Sequence, residues 1–270
     1  MTGLAWSLAA LATLVALVFA VLWCRSARES QKLLLAADQK LEQLQRQFQR
    51  FVPEDVVERL TDSADVLVPE RRHVTMLFAD LRGFTALCDR LDPAVTVKIL
   101  NDYFGHMQRA IVKHHGHVTE FVGDGLLALF GALEPNPWQA RDAVLAALDM
   151  RSELASYNET LRAQGLPELR FGIGIHGGEV VAGVIGTAGL AKFSVTGDPI
   201  NVASRIEGLT GRMQVDLLIT DDIRRLIGDE FDLQPMPPSV VKGKAEPIQT
   251  YRVESAAKDR RRAEPVAGPS

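Results

Sequence analysis

Hydrophobic and polar residues alternate along the chain with a period that switches repeatedly between two and about three and a half. Residues 73–81 (HVTMLFADL) read as an apolar strand whose end carries Asp80. Residues 93–115 carry Val97, Leu100, Phe104, Met107 and Ile111 at helical spacing, and Asp92-Pro93 supplies a helix start. Residues 117–122 alternate, residues 126–130 are continuously apolar, and Gly123-Asp124-Gly125 lies between them, with Asp-Gly as a two-residue turn. That pattern predicts a β-hairpin with a carboxylate at its tip. A long helix is expected from Pro137 to about Gln164, with Ala143, Ala147, Met150, Leu154 and Leu161 facing inward. Residues 171–175 and 179–185 read as a pair of strands, and 198–209 as a helix. Strand 217–220, helix 221–227 and strands 231–234 and 248–253 complete the pattern.

The first quarter of the chain has a different texture. Residues 1–24 contain no charged side chain, and 4–23 form a run of about 20 apolar residues, the length of a bilayer-spanning helix. Arg25, Arg28 and Lys32 follow this run rather than precede it, the reverse of a cleaved signal peptide. The positive-inside rule then sets the remainder of the chain in the cytoplasm, giving a single-pass protein of the inner or plasma membrane. Over residues 25–52, Leu34, Ala37, Leu41, Leu44, Phe48 and Phe51 recur at spacings of three and four. This spacing is expected to form the seam of a short coiled coil pairing two copies in parallel, the alternative being an amphipathic helix lying on the next domain. Residues 53–69 read as a linker, with Pro53 breaking the helix before a short helical segment and a polar loop. The tail, residues 255–270, is expected to be disordered.

Charge and composition narrow the possibilities. The net charge of −4 argues against a nucleic-acid surface, and Cys24 and Cys88 match no metal-binding spacing. Gly172-Ile173-Gly174-Ile175-His176-Gly177 matches GxGxxG in form only, because it lies inside a strand and no long helix follows to receive a pyrophosphate. Its glycines read instead as sites of close packing or of a ligand passing near the backbone. His114, His115 and His117 read as a solvated helix end.

The candidate chemistry gathers at strand ends. Asp80 and Asp124, each beside glycines, are suitable oxygen ligands for Mg²⁺ next to a polyphosphate. Asn201 and Arg205 are four apart on one helix face after a Gly-Asp-Pro turn, where an inward guanidinium requires an anion. Lys242 and Lys244 bracket Gly243 as a candidate phosphate clamp. The element order β-α-β-β-α-β gives an α+β class, a split ferredoxin-like sheet with helices on one face.

Taken in series, residues 78–85 (FADLRGFT), 120–131, 172–186, 196–205 and 241–244 resemble the catalytic domain of class III nucleotide cyclases, over residues 70–254. The resemblance implies a head-to-tail homodimer with each active site built from both chains. It implies that Asp80 and Asp124, with Leu81, hold two Mg²⁺ or Mn²⁺ ions, and that Gly83, Phe84, Thr85 and Lys242 bind phosphate. Across the interface Asn201 positions the ribose and Arg205 stabilises charge on the α-phosphate. Glu120 and Ser194 stand where the family reads the base, in place of the Lys and the Asp or Thr usual in adenylate-type members. An ionised Glu only accepts and a Ser hydroxyl can donate, which suits guanine. Glu120 accepting from the 6-amino group while Ser194 donates to N1 suits adenine. The expectation is ATP as substrate, with GTP as the alternative. A dimerising module without activity would lack one of these side chains, and a kinase or phosphatase would carry a Walker loop or a nucleophile signature; neither holds here. No sensor segment is recognisable, so a membrane or regulatory partner is a further expectation.

Overall fold

The computed structural model describes residues 69–257, apart from 188, 189, 242 and 245. The expected membrane span, the coil, the linker before Pro69, Lys242 and the tail beyond 257 lie outside the described residues. Among the described residues no helix is long and apolar enough to cross a membrane.

The chain runs β1 (Glu70–Leu81), α1 (Phe84–Cys88), α2 (Pro93–Lys113), β2 (His117–Val122), β3 (Gly125–Phe130), α3 (Gln139–Ala163) and β4 (Phe171–Thr187). It continues with β5 (Leu190–Thr196), α4 (Asp198–Met213), β6 (Leu217–Thr220), α5 (Asp221–Ile227), β7 (Phe231–Pro235) and β8 (Thr250–Ala256). The sheet order is β2-β3-β1-β4-β6-β8-β7, with β5 paired to β4. Its first four strands have the expected split ferredoxin-like order, and β1 is antiparallel to both β3 and β4.

Strand periodicity sorts the core into two faces. Leu77, Ala79 and Leu81 of β1 point into a cluster with Tyr103, Met107 and Ile111 of α2 and Ala143, Ala147 and Met150 of α3. Val74 and Met76 point the other way, with Ala203 of α4. Helices therefore cover both faces, which corrects the one-faced arrangement read from the sequence. The sequence's element order did not reveal that α4 crosses behind the sheet.

Glycines make that crossing possible. A Cβ on Gly174 would collide with the backbone of Glu207, and one on Gly178 would come within 2.6 Å of Pro199. These bare positions form a channel in β4 along which α4 lies. The GxGxxG match is thus a helix-packing surface.

Other departures are local. Residues 171–187 form one strand, not two, so Gly177-Gly178 is not a turn, and the hairpin partner of β4 is β5. The buried stripe of α2 is Ile99, Tyr103, Met107, Ala110 and Ile111, rotated from the expected one, and Val97 is 58% exposed. The helix α2 begins as expected, with Asp92 accepting a hydrogen bond from the Ala94 amide at 2.8 Å and Pro93 in its first turn. Ser255 and Ala256 belong to β8, so the expected disordered tail begins too early. Arg151 of α3 fastens this end, reaching Asp216 at 2.7 Å and the carbonyls of Val253 and Glu254 at 2.9 and 2.8 Å.

Candidate active site

The site begins where β1 ends. Asp80 pairs with Gly172 of β4, and its neighbour Ala79 pairs with Leu126 of β3. Both flanking positions are glycines for a steric reason. A Cβ on Gly125 would stand 3.0 Å from Asp80 Oδ1 and 3.1 Å from the Ala79 carbonyl. A Cβ on Gly172 would collide with Thr210 Oγ1 and come within 2.8 Å of Glu207 Oε1. A side chain at position 125 would therefore press on the half-buried Asp80 carboxylate, and one at position 172 would displace Thr210 and Glu207 of α4.

Asp124 faces it from the β2–β3 turn. The two turn residues are Gly123 and Asp124, because Val122 pairs directly with Gly125. Gly123 has φ +64° while Asp124 does not have a positive φ. A left-handed residue at the first central position marks a type II′ turn, one residue earlier than the Asp-Gly turn expected. The carboxylate remains at the tip. Burial, and next the negative charge of Asp124, raise the Asp80 pKa, while the Leu81 backbone amide, hydrogen-bonded to it, opposes the rise. Two acids held against each other's charge at the rim of a sheet are a site for an oxygen-liganded divalent cation, and these residues fit one. Among the described residues no group of three or more His, Cys, Asp or Glu side chains converges to hold a metal.

After Leu81 the chain turns through Gly83, left-handed at φ +69°, into the short helix α1. Phe84 is buried and anchors the turn, leaving Gly83 and Thr85 exposed beside the end of β1.

Three groups behind the acid pair were not anticipated. Glu207 of α4 lies beside Gly172, and burial together with the charges of Asp80 and Asp124 pushes its pKa up to about 7, against the pull of Arg82. Arg82 donates to the Val215 carbonyl and lies near Glu207 and Asp216. Tyr103 of α2 is fully buried and its hydroxyl makes no hydrogen bond. Sequence alone held one clue to Glu207: it shares the inward arc of α4 with Ala203 and Thr210, an unusual place for an acid.

Asn201 and Arg205 lie on a different side of the same helix. At 100° per residue, Glu207 is some 200° round from Arg205. Asn201 is exposed and Arg205 half-buried, with its guanidinium against Gly243, where a Cβ would stand 3.2 Å from Nη1. Gly243 has φ +80°, a left-handed conformation that favours glycine. Lys244 is ion-paired with Asp198 at 2.6 Å. Structure therefore groups Asp80, Leu81, Asp124, Gly83, Phe84 and Thr85 at one end of β1. It groups Asn201 and Arg205 with the 243–244 turn elsewhere.

Glu120 is exposed in β2, paired with Leu127 just after a bulge, and Ser194 is half-buried in β5, paired with Gly183. The strands β3, β1 and β4 stand between them in the sheet order.

The same arrangement of elements recurs in known proteins. The profile of the adenylate and guanylate cyclase catalytic domain matches residues 66–255. An adenylate cyclase of Anabaena cylindrica is 34% identical over 241 residues, covering 85% of this chain and 47% of the relative. Adenylate cyclase 1 of Rhizobium meliloti is 29% identical over 208 residues, covering 76% of this chain and 31% of the relative. The chain thus spans half or less of the length of these curated relatives. Among solved structures, a guanylyl cyclase aligns with a TM-score of 0.67 at 35% identity, covering 70% of this chain and 95% of that one. The adenylyl cyclase CyaB from P. aeruginosa aligns with a TM-score of 0.67 at 28% identity, covering 72% and 99%.

Proposed function

The chain belongs to the adenylate and guanylate cyclase family, and from that premise we propose that it converts ATP to 3′,5′-cyclic AMP and pyrophosphate at a site shared by two copies of the chain. The observation that carries the reading is the pair of carboxylates at the end of β1, with Asp80 beside Gly125 and within the charge of Asp124.

Asp80 and Asp124, with the Leu81 carbonyl, would hold Mg²⁺ or Mn²⁺, two per site. Bound there, the ions lower the pKa of the ribose 3′-hydroxyl and neutralise triphosphate charge. The 3′-oxygen attacks the α-phosphorus in line, the new O–P bond forms as the α–β bridge breaks, and pyrophosphate leaves. The protein's own work is positioning and charge. Gly83, Phe84 and Thr85 meet the triphosphate beside the acid pair, and Lys242 binds phosphate. Asn201 orients the ribose, and Arg205 places a fork of donors on the α-phosphate oxygens as their charge grows.

The direction of α4 supports a composite site. Glu207 faces its own chain's Asp80, and Arg205 lies against Gly243 on another side of α4; this divergence supports a site completed by a second copy. A head-to-tail dimer gives each acid pair the Asn201 and Arg205 of the partner.

The base is read by Glu120 and Ser194. ATP is supported by relatives named adenylate cyclase in two bacteria. GTP is the second reading, supported by the hydrogen-bond complement of Glu120 with Ser194 and by the likeness to a guanylyl cyclase structure. We further propose that residues 1–24 anchor the protein in the membrane with the cyclase domain in the cytoplasm. Residues 25–52 would then pair the two chains and set the orientation of their domains, and that segment is where a regulatory partner would act. Deleting residues 1–50 should lower activity at low protein concentration and release the domain from membranes; unchanged dimerisation and activity would refute the role of the coil.

Incubating purified protein with Mn²⁺ and each of ATP, GTP, CTP and UTP, with product identification by mass spectrometry, tests the reaction and the base together. We expect cyclic AMP as the main product, lost in Asp80→Ala and Asp124→Ala. A large preference for GTP overturns the base assignment, and wild-type turnover in either variant overturns the metal assignment.

A further inference from the structure

Strand β4 has a gap along one edge. Its other edge is covered by β1, from Phe171 paired with Leu81 to Ala182 paired with Glu70. On the gapped side β6 covers residues 173–175 and β5 covers 181–187, and no strand of the described residues lies beside 176–180. The Ile173 amide, donating to the Asp216 carbonyl at 2.7 Å just before β6, shows which backbone groups face this side. Those groups alternate along a strand, so Ile173, Ile175, Gly177 and Glu179 all turn the same way. Gly177 and Glu179 therefore each aim an N–H and a C=O at the place where the sheet is interrupted.

The gap has the shape of the strand that is missing from it. Strand β6 lies between β4 and β8, which sets those two strands two spacings apart, about 9.5 Å. Just past the end of β6 the Asp221 amide donates to the Gln249 carbonyl at 3.2 Å, and α5 then leaves the sheet. Both neighbours run on beyond that point, β4 through 176–180 and the lead-in to β8 through 246–249. Between them lies a cavity of about 920 Å³, lined by Gly177 and Gly178 of β4 and by Thr220, Asp222, Glu246 and Ile248.

Its charge is one-sided. Lys244 and Arg225 also line it, but each is held by a carboxylate, Lys244 by Asp198 and Arg225 by Asp221, both at 2.6 Å. Asp222 meets only the imidazole of His176 among the described residues, at 3.7 Å, and Glu246 is exposed. An open strand edge is completed by an extended chain through main-chain hydrogen bonds, while alternate side chains of that chain meet the walls. Here the walls offer two carboxylates to a cation.

We propose that this slot takes an extended, basic segment of a partner protein as an added strand beside Gly177 and Glu179, with a lysine or arginine reaching Asp222 and Glu246. The slot lies apart from the acid pair, since Gly172, the strand partner of Asp80, is at the start of β4. Binding there does not require the reaction proposed above.

The probe is fluorescein-labelled acetyl-Val-Lys-Val-Arg-Val-Lys-amide, titrated into the full-length chain by fluorescence anisotropy. Residue-resolved hydrogen–deuterium exchange is read at the Gly177 and Glu179 amides. Saturable binding is expected, with exchange at one or both amides slowed about tenfold or more when the probe is bound. The same peptide with an N-methylated backbone, and one with glutamate replacing lysine and arginine, should each bind about tenfold more weakly or not at all. The parent peptide should be weakened as much by Asp222→Lys with Glu246→Lys, a variant that should melt with the wild type because both side chains are exposed. Equal binding of the N-methylated peptide shows adhesion by charge alone and overturns the added strand. No binding of the parent peptide, or binding with exchange slowed only elsewhere, overturns the site. Slow exchange at both amides without the probe shows an edge already covered, by the chain itself or by a second copy, and also overturns the proposal.

Discussion

Asp80 owes its character to its neighbours more than to its own chemistry. Its carboxyl is raised toward protonation by burial and by Asp124, and position 125 beside it carries no side chain to press on its oxygen. Gly125→Ala should therefore lower turnover by about tenfold or more through displacement of the Asp80 oxygen. Stability should change by only about 1 kcal/mol, and kinetics alongside a denaturant titration separate the two effects. His176 is buried against Thr220, with its Nδ1 2.9 Å from Oγ1. Burial lowers its pKa to about 4 from 6.5. The unfolded chain then binds more protons than the folded one between these values, so this stabilisation is full above pH 6.5 and is lost as pH falls toward 4. His176→Asn should flatten the acid limb of the stability curve there by up to about 3 kcal/mol. A limb as steep as the wild type's would contradict the assignment. At this scale the sequence displayed Asp80, Asp124, Asn201 and Arg205, because short motifs fix them locally. Glu207 and Arg82 were hidden because their roles depend on elements that meet only in the fold.

Helix α4 is the element on which the domain turns. It lies in the glycine channel of β4, presents Glu207 to the acid pair of its own chain, and carries Asn201 and Arg205 on another side. Gly174→Ala drives a methyl into the Glu207 backbone, and neither helix nor strand can yield cheaply. We expect a loss of roughly 2 kcal/mol and a fall in melting temperature of about 4–8 °C. An unshifted melting curve would show that the channel does not seat the helix. Periodicity disclosed α2, α3, α5 and the hairpin, whose apolar patterns are local. It split β4 in two because Gly177-Gly178 has the composition of a turn. There the glycines serve packing: a Cβ on Gly178 would meet Pro199, and one on Gly177 would come 3.2 Å from Ile223 Cδ1. No local rule distinguishes that use from a reverse turn.

For the whole molecule, the separation of the two residue groups within one chain is the central fact. Asp80 and Asp124 lie at one end of β1, while Arg205 rests against Gly243 and faces away from them. The proposed shared site needs both groups from two chains, so under it activity should fall with dilution as dimers dissociate. The sequence displayed the two groups but not their divergence, which follows from the 200° turn along α4 between Arg205 and Glu207. The most direct test is complementation between two inactive variants, Asp124→Asn and Arg205→Ala. Each alone should show almost no cyclase activity. Mixed in equal amounts and allowed to exchange subunits, half of the dimers are heterodimers with one intact site of two, so about a quarter of wild-type activity should return. An inactive mixture with demonstrated subunit exchange, or an active Arg205→Ala homodimer, would contradict the shared site.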